Sequence, residues 1–417
     1  MENKADFERF ERYLCKLQEH IGHVDRHKPL KDYCIGLLAA GGRKTAGPLA
    51  AFTAPNRSPA QHQALLHFIG KAPWPDALLL REAGRHVWPS LGGPSVWAVD
   101  EYSFRKQGKH SVGVLRQSCP ELGKVENCQI AVTLTGASAT ASLPMDYRLY
   151  LPREWADDDT RREKAAIPAT IHYRSKKEIA IDLIMDAMAA GADARPVLAG
   201  CDYGADPNFR KIVGDQGLDY VMDVPGSTLF LVEPVVDCLI SEPSGQYTSV
   251  RLRTGLPERG AMSAEHLAAV VRDQMRPMTE QILDALTVLK VSPVDDAPMD
   301  GGGAAWLVIR GGSPVRHRMG YSVTNMAIPA RMPEIRKVPA WRDTIRKGKL
   351  QLKQELGLGH YEGRSWRGFH HHATLCVAVQ AFLSGERYRP GPAAVADLMP
   401  PAVTPQPIPS ASAAACG

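Results

Sequence analysis

Four β-rich runs follow one another at hairpin spacing between residues 96 and 152: VWAVDEYSF (96–104), SVGVLRQSC (111–119), NCQIAVTLTGAS (127–138) and ASLPMDYRLYLP (141–152). Such runs, separated by so few residues, predict an antiparallel meander. The texture then changes. SKKEIAIDLIMDAMAAG (175–191) predicts a helix with Ser175 at its N-cap, Glu178 three residues on and Gly191 closing it. ARPVLAGCDYG (194–204) reads as a buried strand, NFRKIVGDQG as a short helix and LDYVMDV as a further strand. This alternation of strand and helix implies parallel pairing. A meander followed by parallel crossovers predicts an α/β (α+β) sheet.

That order, meander first and β-α-β second, is the order of an RNase H-like domain, although other α+β folds share it. The flanks fit around it. Residues 1–90 read as a small helical module, with Phe7, Phe10, Tyr13, Leu14, Leu17 and Ile21 recurring at three and four, a break at Gly41-Gly42 and a new helix after Ser58-Pro59. Residues 91–388 form the sheet domain, with a less regular insertion around 232–305. There a helix is predicted over 263–290 and a loop over 295–304, before strands at 306–310 and 321–325. Residues 331–353 are strongly basic. A last helix is predicted over 370–385, and the Pro- and Ala-rich segment 389–417 reads as a disordered tail.

Composition excludes several classes. A chain of 417 residues suggests two to three domains. No stretch approaches 18 uninterrupted apolar residues, so no spanning helix is expected, and the charged start MENKADFERF lacks the apolar centre of an export signal. The eight cysteines form no C-x-x-C pair and suit neither a disulfide framework nor a zinc ribbon, which predicts reduced thiols in a bacterial cytoplasm. The net charge of +5 is compatible with a polyanionic partner without requiring one. Walker, G-x-S-x-G, H-E-x-x-H and G-x-G-x-x-G patterns are missing, against NTPases, α/β-hydrolases, zincins and dinucleotide enzymes.

Two carboxylates stand out. Asp100 closes the apolar run Val96-Trp97-Ala98-Val99, and Asp202 follows Val197-Leu198-Ala199. Ligand groups in such sheets collect at strand ends, and paired carboxylates there suit Mg²⁺. The bland readings are an exposed strand-end Asp100 and a turn-forming Asp202 before Tyr203-Gly204. His370-His371-His372 cannot share one ion, because neighbours on a helix point about 100° apart; a polar helix start or a nucleic-acid contact is the simpler reading. Basic residues 105–110 directly follow Asp100, where a phosphate backbone would need holding.

Longer blocks carry a resemblance. VWAVDEYSFRKQGKHSVGVLRQSC, GKVENCQIAVTLT, ASLPMDYRLYLPREWADD, LKQELGLGHYEGRSWRGFHHHATL and APNRSPAQHQALLHFIGKAPW resemble bacterial insertion-sequence transposases of the seven-oh-one type, with a DDE superfamily endonuclease domain. The resemblance implies an RNase H-like DDE catalytic domain preceded by a small helical domain for DNA-end binding. It implies two Mg²⁺ ions (Mn²⁺ able to substitute) held by two aspartates and a glutamate. It further implies cleavage of transposon ends and strand transfer into target DNA, by a homodimer or higher oligomer, nucleoid-associated in the cytoplasm and away from membranes.

Asp100 falls on the family's first aspartate. The second falls on Gly200, with Asp202 two residues later as the substitute. The third acid falls on Arg346, and Asp343, one helical turn earlier, is the preferred replacement. Asp100, Asp202 and Asp343 are thus the candidate catalytic set, with Asp100 and Asp202 as metal ligands. Lys106, Lys109, Arg116, Lys353, Tyr361 and Arg364 are the candidate DNA contacts. Two rival readings remain: a catalytically degenerate DNA-binding derivative, and a general metal-dependent RNase H-like nuclease.

Overall fold

The computed structural model describes residues 2–39, 41–241, 246–275, 286–294, 305–311 and 319–388. The loop expected at 295–304 and the tail expected at 389–417 lie outside them.

Five helices open the chain: α1 (Glu2–Gln18), α2 (His27–Ala39), α3 (Ala46–Thr53), α4 (Ser58–Gly70) and α5 (Asp76–Leu91). The meander follows as β1 (Val96–Arg105), β2 (Leu115–Cys119), β3 (Lys124–Ala137) and β4 (Ser142–Leu149). β3 is long enough to pair antiparallel with β1 along its length, with β2 at its first half and with β4 at its second. Two short helices, α6 (Arg153–Ala156) and α7 (Asp159–Lys164), lead to α8 (Lys176–Ala189). α8 carries the predicted reciprocal cap: the Glu178 amide donates to Ser175 Oγ at 3.2 Å and the Ser175 amide to Glu178 Oε2 at 2.7 Å. Removing that hydroxyl with Ser175→Ala is expected to lower stability by about 1 kcal/mol in denaturant titration.

The crossover then delivers β5 (Val197–Ala199), the single turn α9 (Cys201–Gly204), α10 (Pro207–Asp215) and β6 (Tyr220–Asp223). β5 pairs parallel with both β1 and β6. The order β4-β3-β1-β5-β6 is that of an RNase H-like sheet, as the element order predicts. The strand expected over 194–204 is shorter than that: the chain leaves the sheet after Ala199 and turns into α9.

Beyond β6 come β7 (Leu229–Val232), β8 (Val235–Ser241), β9 (Tyr247–Arg253), β10 (Gly260–Ser263), α11 (Ala264–Met275), β11 (Leu286–Pro293), β12 (Ala305–Arg310) and β13 (Gly320–Thr324). The helix expected over 263–290 is corrected: it is helical over Ala264–Met275, whereas Leu286–Pro293 is a strand paired with β12 and β8. The β-branched alternation of LTVLKVSP suits a pleated surface better than a helix. β13 adds antiparallel to β6, so the insertion extends the central sheet.

The chain closes with α12 (Met332–Ile335), α13 (Val338–Leu350), a single wider turn over Gln351–Glu355 and α14 (Trp366–Arg387). α14 contains the helix expected over 370–385 but lacks the polar start expected of it. Its residues Gly368–Leu383 are buried all round. Helices α1–α5 wrap it and, together with Tyr102, Phe104, Leu143, Tyr147 and Leu149 of the sheet, share one apolar core with it. The opposite face of the sheet is covered by α8, α10 and the insertion, and α12 and α13 pack a third cluster near Val96, Ala98 and Val221.

Candidate active site

β1 presents its residues alternately to the two faces. Asp100 is half-buried and sits opposite Thr133 of β3, whose hydroxyl donates to the Asp100 carbonyl at 3.2 Å. On its other side the parallel register pairs Val99 with Ala199, so one step further on Asp100 comes alongside Gly200. The fold therefore juxtaposes the two positions that the family resemblance assigns to acids. Gly200 has ordinary extended backbone (φ −81°), and a Cβ built there meets nothing within 4 Å. The room for a second carboxylate is present, but the carboxylate is not.

Asp202 does not lie on a strand. It is exposed in α9, one residue before the buried Tyr203, whose hydroxyl donates to Glu101 Oε1 at 3.1 Å. The two-residue strand spacing expected between Gly200 and Asp202 is thus replaced by helical geometry. Glu101 itself is buried and also accepts from Lys176 Nζ at 2.7 Å. Asp343 lies on α13 with its carboxylate gripped by Lys347 Nζ at 2.7 Å and Arg346 Nη2 at 2.6 Å. Those hydrogen bonds, Lys347 first, hold its carboxyl below the usual range.

The sequence reading missed what lies against Asp100. Lys349 of α13 donates to Asp100 Oδ2 at 2.9 Å, to the Glu101 carbonyl at 2.6 Å, and pairs with Glu121 Oε1 at 3.2 Å. Lys353 pairs with the same Glu121 and donates to the Ser103 carbonyl at 2.8 Å. Seven residues before Lys349, Arg342 pairs with Asp223 at the end of β6, which Arg310 also holds at 2.7 Å. Burial pushes the Asp223 carboxyl up, but the two guanidinium groups outweigh it and keep it below the usual range. Spacings of seven and four place Arg342, Lys349 and Lys353 on one helical face. That periodicity was the available signal.

The proposed DNA contacts separate into two sets. Lys106 spends its ammonium on the Tyr361 carbonyl at 2.6 Å, and burial pushes its pKa down to about 8. Tyr361 is half-buried, stacks on His372 and lies 3.3 Å from Ser365 Oγ through its hydroxyl. Lys353 is engaged as above. Lys109, Arg116 and Arg364 are exposed. The Val112 amide donates to the Arg364 carbonyl at 3.1 Å, and Arg43 pairs with Glu362 at 3.1 Å. The β1–β2 loop, the α2–α3 loop and residues 360–364 are thereby drawn together. The histidine triplet is neither a solvated helix start nor a nucleic-acid contact: all three rings are buried within α14.

The sheet order and the position of Asp100 define a class. The chain belongs to the DDE superfamily endonucleases, whose family profile matches residues 16–280, more than half of it. It is also 28% identical over 193 residues (46% of this chain) to the probable transposase for insertion sequence element IS701 of Microchaete diplosiphon. That match spans 47% of the relative's length. The superfamily generally works through divalent metals. The donors found here do not fit a two-metal site: Gly200 offers no ligand, Asp343 is bound by two cations of its own helix, and Asp100 is bound by Lys349. Among the described residues no group of three His, Cys, Asp or Glu side chains is arranged to hold a metal ion. No described helix is long and apolar enough to cross a membrane.

Proposed function

We propose that the chain acts as a transposase-family protein that grips the terminal repeats of an insertion sequence. The face used is the one where residues 360–364 meet the β1–β2 loop. The observation that carries this reading is the pair of ties from Lys106 to Tyr361 and from Val112 to Arg364. They tie the loop that carries exposed Lys109 to the segment that carries exposed Arg364, and Glu362 of that segment pairs with Arg43 of the helical module, so that distant parts of the chain bring cations towards one surface. Phosphate contacts of this kind set affinity and register on a duplex. The family and the transposase named as its relative supply the substrate class. The N-terminal helices contribute to end binding through Arg43, and two or more copies on DNA would hold the two ends together.

Cleavage of the ends and strand transfer form the further part of the family reading, and they rest on Asp100 in the first-aspartate position. The degenerate reading is favoured by Gly200 and by Lys349 on Asp100.

The test is binding of a labelled terminal-repeat duplex, followed by fluorescence anisotropy over a salt series. Lys109→Ala and Arg364→Ala are each expected to weaken binding and to lower the slope of log K against log salt by about 1. Wild-type affinity that is the same for unrelated duplexes would favour the general-nuclease reading. An unchanged slope in both variants would remove this surface from the account.

A further inference from the structure

The oxygens around Lys349 are of the kind that a hard divalent cation takes: two carboxylates, Asp100 and Glu121, and one backbone carbonyl, that of Glu101. An ammonium has three N–H groups. Here two of them donate, to the Glu101 carbonyl at 2.6 Å and to Asp100 Oδ2 at 2.9 Å, and Glu121 Oε1 pairs with the ammonium at 3.2 Å. These are hydrogen-bond lengths, longer than the roughly 2.0–2.1 Å of Mg²⁺ coordination. The group also lies 4.6 Å from the centre of the Tyr102 ring, which stabilises a cation from a further side. Only 16% of the Lys349 side chain is exposed, so it is held by packing as well as by charge.

We propose that Lys349 is a built-in cation that permanently occupies the place of the divalent ion beside Asp100, midway along β1, leaving Asp100 as a positioning carboxylate for α13. Three features agree. Lys349 belongs to a basic stripe, Arg342, Lys349 and Lys353, each member of which meets an acid at the sheet edge or in the adjoining turn. The neighbouring Gly200 retains the space for a carboxylate but supplies none. Without Lys349, Asp100 would stand as an unpaired anion beside Glu121, which Lys353 alone would hold, and the ammonium removes that cost without a bound ion. The assignment stands apart from DNA binding, because it concerns only how these carboxylates are neutralised.

The experiment is a titration of the full chain, without DNA, with Mn²⁺ alone, in which free ion is read by electron paramagnetic resonance. Wild type is expected to show no stoichiometric Mn²⁺ binding that Asp100→Asn removes. Gly200→Asp is expected to fold and to bind no better, because the ammonium still holds the locus. Lys349→Met frees Asp100, the Glu101 carbonyl and Glu121 Oε1, with Lys353 still on the other Glu121 oxygen, and Mn²⁺ affinity is expected to rise at least tenfold. It should rise further when Gly200→Asp is added, and return to the wild-type level when Asp100→Asn is added. Tight Mn²⁺ binding by wild type or by Gly200→Asp alone, lost with Asp100→Asn, overturns the assignment. So does a folded Lys349→Met chain whose affinity is unchanged. Should Lys349→Met not fold, wild type and Gly200→Asp still decide the question.

Discussion

Replacing Gly204 with alanine is expected to cost about 3–5 kcal/mol, at the upper end for a single substitution. The residue ends α9, where the chain doubles back beneath β6. A Cβ there would fall inside the contact distance of the Asp223 carbonyl oxygen and 2.9 Å from Met222 Cβ. Neither neighbour can retreat. The backbone of β6 is paired with β5 on one side and β13 on the other, and Asp223 is anchored by Arg310, Arg342 and Ser322. The Gly204 carbonyl also accepts from Arg210 Nη1 at 2.5 Å, so movement of α9 would break a hydrogen bond of a buried guanidinium. Gly200→Ala, four residues earlier, is the control: its Cβ meets open space, and it is expected to stay within about 0.5 kcal/mol of wild type. Chemical denaturation of both variants measures the difference. Equal stabilities would mean that α9 adapts and that the packing argument is wrong.

The contrast between these two glycines shows what the sequence makes legible. The meander and the capped α8 announce themselves because their signals are local, strand alternation in one case and Ser175 with Glu178 in the other. The end of β5 does not. Whether Cys201-Asp202 continues a strand depends on Tyr203 reaching Glu101, a partner 102 residues away. The helix expected over 263–290 failed for a related reason: Leu286–Pro293 is a strand through pairing with β12 and β8, which no local window contains.

The site divides the same way. Asp100 is legible because an apolar strand run that ends on a carboxylate is a local pattern, and the family blocks place it. Lys349 is not, since its pairing with Asp100 spans 249 positions. The basic character of residues 331–353 does not reveal that Arg342, Lys349 and Lys353 turn one face inward to carboxylates. The same holds for Lys106, whose neighbours in sequence are exposed while its own ammonium is tied to Tyr361. Charge counts alone do not distinguish a cation that meets solvent from one that closes a core.

The histidine triplet gives the second large expectation: stability should fall steeply on acidification below about pH 6.5. His372 donates from Nε2 to the Gly357 carbonyl at 2.9 Å and accepts at Nδ1 from the Tyr33 hydroxyl at 2.8 Å, an arrangement that a neutral ring satisfies completely. Burial holds its pKa down at about 4. His371 lies flat on Trp74 with one ring nitrogen 2.9 Å from the Ile69 carbonyl and the other 3.0 Å from the Trp74 carbonyl. Protonation would serve both carbonyls, yet burial outweighs them and its pKa is also about 4. In the unfolded chain both rings titrate near 6.5. Between those values the unfolded chain carries more protons, so the stability these rings confer is complete above about pH 6.5 and lost as pH falls towards 4. That amounts to about 3 kcal/mol for each ring. Asp146 acts in the opposite sense. Burial raises its carboxyl to about 6, so between about pH 6 and 4 the folded chain holds the extra proton and gains stability on acidification. One carboxyl offsets about one ring, and the net loss by pH 4 is about 3 kcal/mol. Denaturant titrations at pH 7, 6, 5 and 4.5 should show this fall. His372→Gln should flatten it and Asp146→Asn should steepen it, whatever either change does to stability at pH 7. A stability that is level or rises from pH 7 to 4.5 would mean that these rings are protonated in the fold. In that case α14 would be a charged helix in contact with solvent, and the wrapping of α1–α5 around it could not be as described.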